Sequence, residues 1–294
     1  MKISYQHIIN FIDKNPSIED ISKKLFQLGH EHEICDEIFD IEITPNRGDC
    51  LSLQGILREL SVFYDINFNV EVYDKEIHSF DFPFKNLSKH ICPRISFLKV
   101  VIDKSIKPYS GMLSSYFDDM DNNKNNFFTD ISNYVSYELG QPTHCYDFNS
   151  LKDVLIFDAL NEKKEFQSLT NQKLILNPGD SVFRINNDIV NLAGVMGGKS
   201  TACNPNTSSA IVECAFFEPE YIIGKTIKYD INSDAAYKFE RGVDPNLHLK
   251  TLRRFIQLVD EHALIKSVEI FSFNELENLN RKITFDLNAI NHVL

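Results

Sequence analysis

The sequence predicts an α+β protein: a small αβ N-terminal domain followed by a larger mixed α/β domain rich in short strands. Three observations predict it. An alternation of apolar residues at Phe39, Ile41 and Ile43 lies between two stretches with helical periodicity. Short apolar runs, broken by turn residues, fill the region from Val154 to Cys214. A long helical pattern through Leu252, Phe255, Ile256 and Val259 follows that region. The domains are placed at 1–88 and 89–275, and 276–294 is taken as the start of a further, truncated module.

Each element has a local reason. Ser17 and Asp20 stand at capping-box spacing ahead of Ile18, Ile21, Leu25 and Leu28, and Gly29 supplies a stop. The strand at Phe39 to Ile43 leads into the loop Thr44-Pro45-Asn46-Arg47-Gly48-Asp49. A second helix then runs through Leu53, Ile56, Leu57, Leu60 and Phe63. Residues 65–90 show no clean period and are read as a strand or two plus a connection. Arg94 to Asp103 reads as a buried strand and Tyr109 to Asp118 as a helix. The Asn-rich stretch from Asp121 to Asn126 is a loop, and Asp130 is expected to cap a helix ending at Gly140. Asn186-Asn187-Asp188 fits a hairpin turn. Asp244 and Pro245 take the N-cap and first positions of the long helix. From Lys282 a strand and then a helix are expected.

Composition narrows the function. The 294 residues are 43% hydrophobic, enough for a sizeable core. A formal net charge of −12 argues against a basic surface for generic nucleic-acid binding, so no DNA partner is expected. No apolar run reaches the ~18 residues of a membrane span. The N-terminus lacks the apolar core and small-residue cleavage site of a signal peptide. A cytoplasmic location is expected. The six cysteines form no CxxC pair, which points to reduced thiols and no metal site.

Several motifs carry possible chemistry. Gly198-Lys199-Ser200 resembles the end of a phosphate-binding loop, but Ala193 stands where that pattern needs glycine, and residues 201–205 look irregular. The segment is instead a glycine turn that lets a ligand approach the backbone. His144, after Gly140-Gln141-Pro142-Thr143, is either an ordinary hydrogen-bonded histidine or a site residue. Glu213 lies within the apolar run Ala210 to Phe217. Pointing inward, it would cost several kcal/mol unless paired, and would then be a site candidate. Strand alternation alone would equally turn it to solvent. Arg47 with Asp49, and Lys238 with Glu240 and Arg241, are surface charges or site groups. No Ser-His-Asp or Cys-His spacing appears, so hydrolysis here would use positioned water.

Five stretches, in order, resemble the bacterial phenylalanyl-tRNA synthetase beta subunit. They are ITPNRGDCLSLQGILREL (Ile43 to Leu60), ISNYVSYELGQPTHCYD (Ile131 to Asp147), LAGVMGG (Leu192 to Gly198), VECAFFEP (Val212 to Pro219) and SDAAYKFERGVDP (Ser233 to Pro245). The resemblance implies a tRNA-editing domain over 89–275. Such subunits pair with an alpha subunit that activates phenylalanine with ATP, and their editing site removes tyrosine wrongly attached to the phenylalanine tRNA. By the resemblance, Glu213 would recognise the tyrosine hydroxyl and His144 would position substrate or water. Ser132 and Asn133 would line the pocket. Ala193, Gly194 and Gly197 would supply its close-packed floor, and Ser233 and Ala235 its far wall. ATP and magnesium would serve only the full synthetase; no cofactor is expected in this chain.

Chemistry agrees with that assignment. An apolar pocket built for phenylalanine rejects an added hydroxyl only about 100-fold, so a second site must select for the hydroxyl. A buried carboxylate does so, because a phenylalanyl substrate leaves it unpaired at about 1–3 kcal/mol. The sequence departs from the family in two places. Leu28 and Phe39 are too close in sequence for the usual OB-fold tRNA-binding insert, and the C-terminal half is missing. A freestanding deacylase that edits mischarged tRNA, or a non-catalytic binding module, would share these features.

Overall fold

A computed structural model describes residues 1–276 and 282–293. The chain starts with strand β1 (Lys2–Ser4), helix α1 (Tyr5–Ile9) and helix α2 (Ile18–Gln27). The hairpin β2 (His32–Cys35) and β3 (Ile38–Ile41) follows, and then α3 (Leu53–Leu60). Ser17 caps α2 by accepting from the Asp20 amide at 3.2 Å, as its spacing predicts. The hairpin turns on Asp36 and Glu37, both at positive φ, so its two central residues have the primed-turn geometry that matches strand twist. β3 is central in a three-stranded sheet, β1-β3-β2, and buries Phe39 and Ile41. α3 ends at Leu60, which leaves Phe63 outside the helix and partly exposed, contrary to the expected apolar face.

A connection with short strands β4 (His78–Ser79) and β5 (Phe84–Asn86) leads into the long strand β6 (Arg94–Ile106). Helices α4 (Gly111–Asp118) and α5 (Phe127–Leu139) precede strand β7 (Thr143–Asp147). Asn126, not Asp130, caps α5: its side chain accepts from the Thr129 amide at 3.2 Å. Asp130 lies one turn inside the helix and is buried, accepting from the Asn125 amide and the Tyr109 hydroxyl. The strand-rich region comprises β8 (Leu155–Ala159), β9 (Lys164–Gln167), β10 (Lys173–Leu176), β11 (Ser181–Ile185), β12 (Asp188–Leu192), β13 (Met196–Gly197) and β14 (Ser209–Phe216). Asn186, at positive φ, makes the β11–β12 turn.

Helices α6 (Lys225–Tyr229), α7 (Asp234–Phe239) and α8 (His248–His262) come next, followed by strand β15 (Ala263–Asn274) and helix α9 (Leu287–Val293). Asp244 and Pro245 open a 3-10 turn over Pro245–Leu247 that runs into α8, rather than opening α8 directly. No strand forms over residues 282–286. The remainder of the expected further module, 277–281 and 294, lies outside the described residues.

Two five-stranded sheets dominate, ordered β13-β12-β11-β8-β5 and β4-β15-β6-β14-β7. The second sheet is buried on both faces, which is why β14 reads as an unbroken apolar run. Its residues nevertheless alternate between two cores. Ala210, Val212 and Cys214 join a core with α3, α5, α8 and the β1-β3-β2 sheet. Ile211 and Ala215 join a second core with the other five-stranded sheet, rich in Phe157, Phe183 and Phe217. Glu213 lies between Ile211 and Ala215 on that second face. No described helix is long and apolar enough to cross a membrane.

Candidate functional site

The antiparallel register of β14 and β7 sets Glu213 directly opposite His144. Tyr146, two residues further along β7, projects from the same face. Glu213 points inward and retains 4% of its exposure. The Tyr146 hydroxyl donates to Glu213 Oε2 at 2.6 Å, and the Asn191 amide of β12 donates to the Tyr146 oxygen at 2.9 Å. Burial pushes the Glu213 carboxyl up to about 8, a rise that the Tyr146 hydrogen bond partly offsets. No cation among the described residues pairs with it, and no second donor reaches it.

His144 meets Tyr146 edge-on, ring centroids 4.4 Å apart. Its Nε2 is shut away from solvent with no hydrogen-bond partner among the described residues. Burial lowers its pKa to about 4, so the imidazole is neutral at physiological pH. Glycine at 197 is required by close approach: a Cβ there would stand 2.3 Å from His144 Cε1 and 2.9 Å from Leu169 Cδ1. The turn before it carries Ala193, fully buried, and Gly194, whose φ of +68° suits glycine. Ser233 ties this turn to α7: its hydroxyl donates to the Val195 carbonyl at 2.6 Å and accepts from the Ala236 amide.

The other three expected residues line a cavity of about 590 Å³. Ser132 and Asn133 from α5 and Ala235 from α7 are on its wall, with Thr143, Tyr137 and Lys238. Neither Glu213 nor His144 is among the lining residues. Alternation along β7 explains the separation: Thr143 and Cys145 face α5, while His144 and Tyr146 face the opposite sheet. Ser132 Oγ is already engaged with the Thr143 carbonyl at 2.8 Å and its hydroxyl at 2.7 Å. The nine residues therefore form two adjacent groups, joined through Thr143–His144 on β7 and Ser233–Ala235 on α7.

Sequence reasoning did not single out Tyr146 and Asn191, although THCYD places Tyr146 on the face of His144 by its alternation alone. Lys238 is buried rather than a surface charge. Burial lowers its amine to about 8, and it donates to the Ser136 carbonyl and to Ser136 Oγ, the latter at 3.0 Å. The Gly198-Lys199-Ser200 segment forms a bridge and a 3-10 turn that opens no α-helix, and Lys199 donates to Asn171.

A second cluster brings donor atoms of His30, Cys50 and Glu59 within 4.8 Å of one another. The Arg47 guanidinium already holds it, donating to Cys50 Sγ at 2.8 Å and pairing with Glu59 at 2.8 Å and with Asp49 at 3.0 Å. Burial pushes the Cys50 thiol up to about 12, so it stays protonated beside the guanidinium. The cluster is an arginine-centred brace between the 44–50 loop and α3.

Residues 92–264 match the family described as the B3/4 domain. The chain is similar to the phenylalanine–tRNA ligase beta subunit of Wolbachia sp. subsp. Brugia malayi, at 28% identity over 95% of this chain and 37% of the relative. It is likewise similar to that of Francisella tularensis, at 30% identity over 88% of this chain and 33% of the relative. It thus spans about a third of the length of these curated relatives. Among solved structures, an N-terminal fragment of the phenylalanyl-tRNA synthetase beta subunit from Pyrococcus horikoshii aligns over 100% of this chain and 84% of the fragment, with TM-score 0.46 and 10% identity.

Proposed function

Because the chain belongs to the B3/4 domain family, matched over residues 92–264, we propose that it hydrolyses tyrosine from mischarged phenylalanine tRNA as part of a phenylalanine–tRNA ligase beta subunit. The observation that carries this reading is Glu213: a buried carboxyl with no cation, one oxygen uncommitted, and a neutral imidazole beside it. In its ionised form, a carboxyl so placed gains most from a ligand that donates a hydroxyl proton and gains nothing from a bare phenyl ring. The ester of a charged tRNA is already activated, so the protein needs to hold it beside a water and stabilise developing negative charge. His144, with its unpaired Nε2, is suited to hold that water or the ester. The cavity walled by Ser132, Asn133 and Ala235 offers space for the adjoining nucleotide.

In this reading the tRNA and an alpha subunit are the partners, and ATP and magnesium serve the charging step of the assembled ligase. The test compares deacylation of tyrosyl-tRNA and phenylalanyl-tRNA, both on the phenylalanine acceptor, by the chain and by Glu213→Ala. The expected result is release of tyrosine over phenylalanine by the chain and loss of that preference in the variant. A variant with unchanged rate and preference overturns the assignment of Glu213. Binding of a ribose-linked tyrosine covers the case in which whole tRNA needs further domains to dock.

A further inference from the structure

We propose that Tyr146 is a specificity-setting positioning residue: oriented by Asn191, its hydroxyl takes one oxygen of Glu213 and leaves the other as the acceptor for a single substrate hydroxyl. This rests on the reading of Glu213 as the hydroxyl sensor. The geometry fixes the direction of the chain of hydrogen bonds. The Asn191 atom facing Tyr146 is Nδ2, which only donates, so the Tyr146 oxygen accepts from it at 2.9 Å. The Tyr146 proton is then directed to Glu213 Oε2, 2.6 Å away. Tyr146 is itself fully buried, and its ring is braced edge-on by His144, so the hydroxyl cannot swing to solvent.

Two consequences follow for the carboxyl. Its rotamer is pinned, so Oε1 is presented at one position along the β7–β14 ladder rather than sweeping the site. A substrate hydroxyl must meet that position, which selects for a para-hydroxyl at one depth. The ionised form is also favoured, because a donated hydrogen bond stabilises the charge. The titratable groups around Glu213 are Tyr146, His144 and the thiols of Cys92, Cys145 and Cys214. Burial holds every one of them neutral at physiological pH. Among the described residues, Tyr146 is therefore the neighbour that opposes burial and draws the carboxyl back toward ionisation, without bringing it below about 8.

The experiment uses the full chain and two probes, the tyrosyl and phenylalanyl amides of 3′-amino-3′-deoxyadenosine, with affinities measured by calorimetry from pH 6 to 10. In the wild-type chain the tyrosyl preference is expected to rise with pH as Glu213 ionises. In Tyr146→Phe the midpoint of that rise moves up by about one to two pH units, the scale of one hydrogen bond to a charged group. The preference at neutral pH falls about tenfold or more. Asn191→Ala, which frees the Tyr146 hydroxyl without removing it, shifts the midpoint in the same direction by less, and it carries the test should Tyr146→Phe fail to fold. An unchanged midpoint and preference in the folded variants, while Glu213→Gln abolishes the preference, overturns the role of Tyr146 and leaves the sensor reading intact. No effect of Glu213→Gln either overturns both.

Discussion

Two buried glutamates, each hydrogen-bonded to a tyrosine hydroxyl, occupy opposite sides of the same sheet and differ in what completes them. Glu138, on α5 in the helical core, accepts from Tyr134 at 2.8 Å and from both Nε and Nη2 of Arg254, at 2.7 and 2.9 Å. Glu213, in the core between the two sheets, accepts among the described residues from Tyr146 alone. The fold has spent a bidentate arginine on the first carboxylate and nothing comparable on the second. A charge that belongs to the scaffold is neutralised by the scaffold. One left without a counter-charge points to a ligand that completes it.

The largest expected effect comes from breaking the completed site. Arg254→Ala strands Glu138 and should cost about 3–5 kcal/mol, read as a fall in the urea midpoint. Replacing both partners, Glu138→Leu with Arg254→Met, should recover most of that loss, since a well-packed apolar pair often equals a buried ion pair. If the single and double variants are equally unstable, packing rather than charge pairing governs this region.

The incomplete site should respond in the opposite sense. The carboxyl of Glu213 lies near 8 when folded, against an ordinary value of 4.5. A raised carboxyl means that the unfolded chain loses its proton first. Stability is then fully present below pH 4.5 and falls as pH rises toward 8. Glu213→Gln should remove that fall and be more stable than the wild type at pH 9 by roughly 2–4 kcal/mol, while matching it near pH 4. Denaturant curves at three pH values decide this, and a pH-independent difference would sink it.

Smaller effects sharpen the contrast. Gly197→Ala drives a methyl group into the His144 ring, where the Cβ would stand 2.3 Å from Cε1. We expect a loss of about 1–3 kcal/mol by overpacking and a drop of about 100-fold in deacylation as the imidazole shifts. Retained activity would remove His144 from the reaction. Tyr134→Phe should cost only about 1–2 kcal/mol, because Arg254 still holds Glu138. A loss as large as that of Arg254→Ala would mean that the tyrosine, not the arginine, completes this site.

Much of this was legible in the chain itself. The cap at Ser17, the alternation around Phe39 and the Asn186 turn follow from local rules acting on adjacent residues. The α5 cap did not, because Asn126 and Asp130 are both good capping residues, and only the packing of Phe127 and Phe128 into the core shows where the helix starts. Glu213 could be marked as either a site residue or a solvent-facing one, and no local signal decides between them. Its inward direction depends on a second sheet packing over β14, a fact of topology. Asn191 was out of reach for the same reason: its partner is 45 residues away in sequence, and only the packed fold brings them together. The division between the Ser132 group and the His144 group rests on one-residue alternation along β7, which a motif read as a continuous string hides.

The ladder between β6 and β15 has a consequence for how this protein is assembled from parts. Arg94 at the start of β6 pairs with Asn274 at the end of β15, whereas Ala263, at the start of β15, pairs with Ile106 at the far end of the ladder. Taken from β6 through the whole of β15, ten residues past the end of the 92–264 match, the unit therefore has its entry and exit side by side. Such a unit can be spliced between two unrelated stretches of polypeptide with only a pair of adjacent crossings, leaving its interior undisturbed. The same closure lets whatever precedes or follows it change in length or kind without altering the spacing of His144 and Glu213.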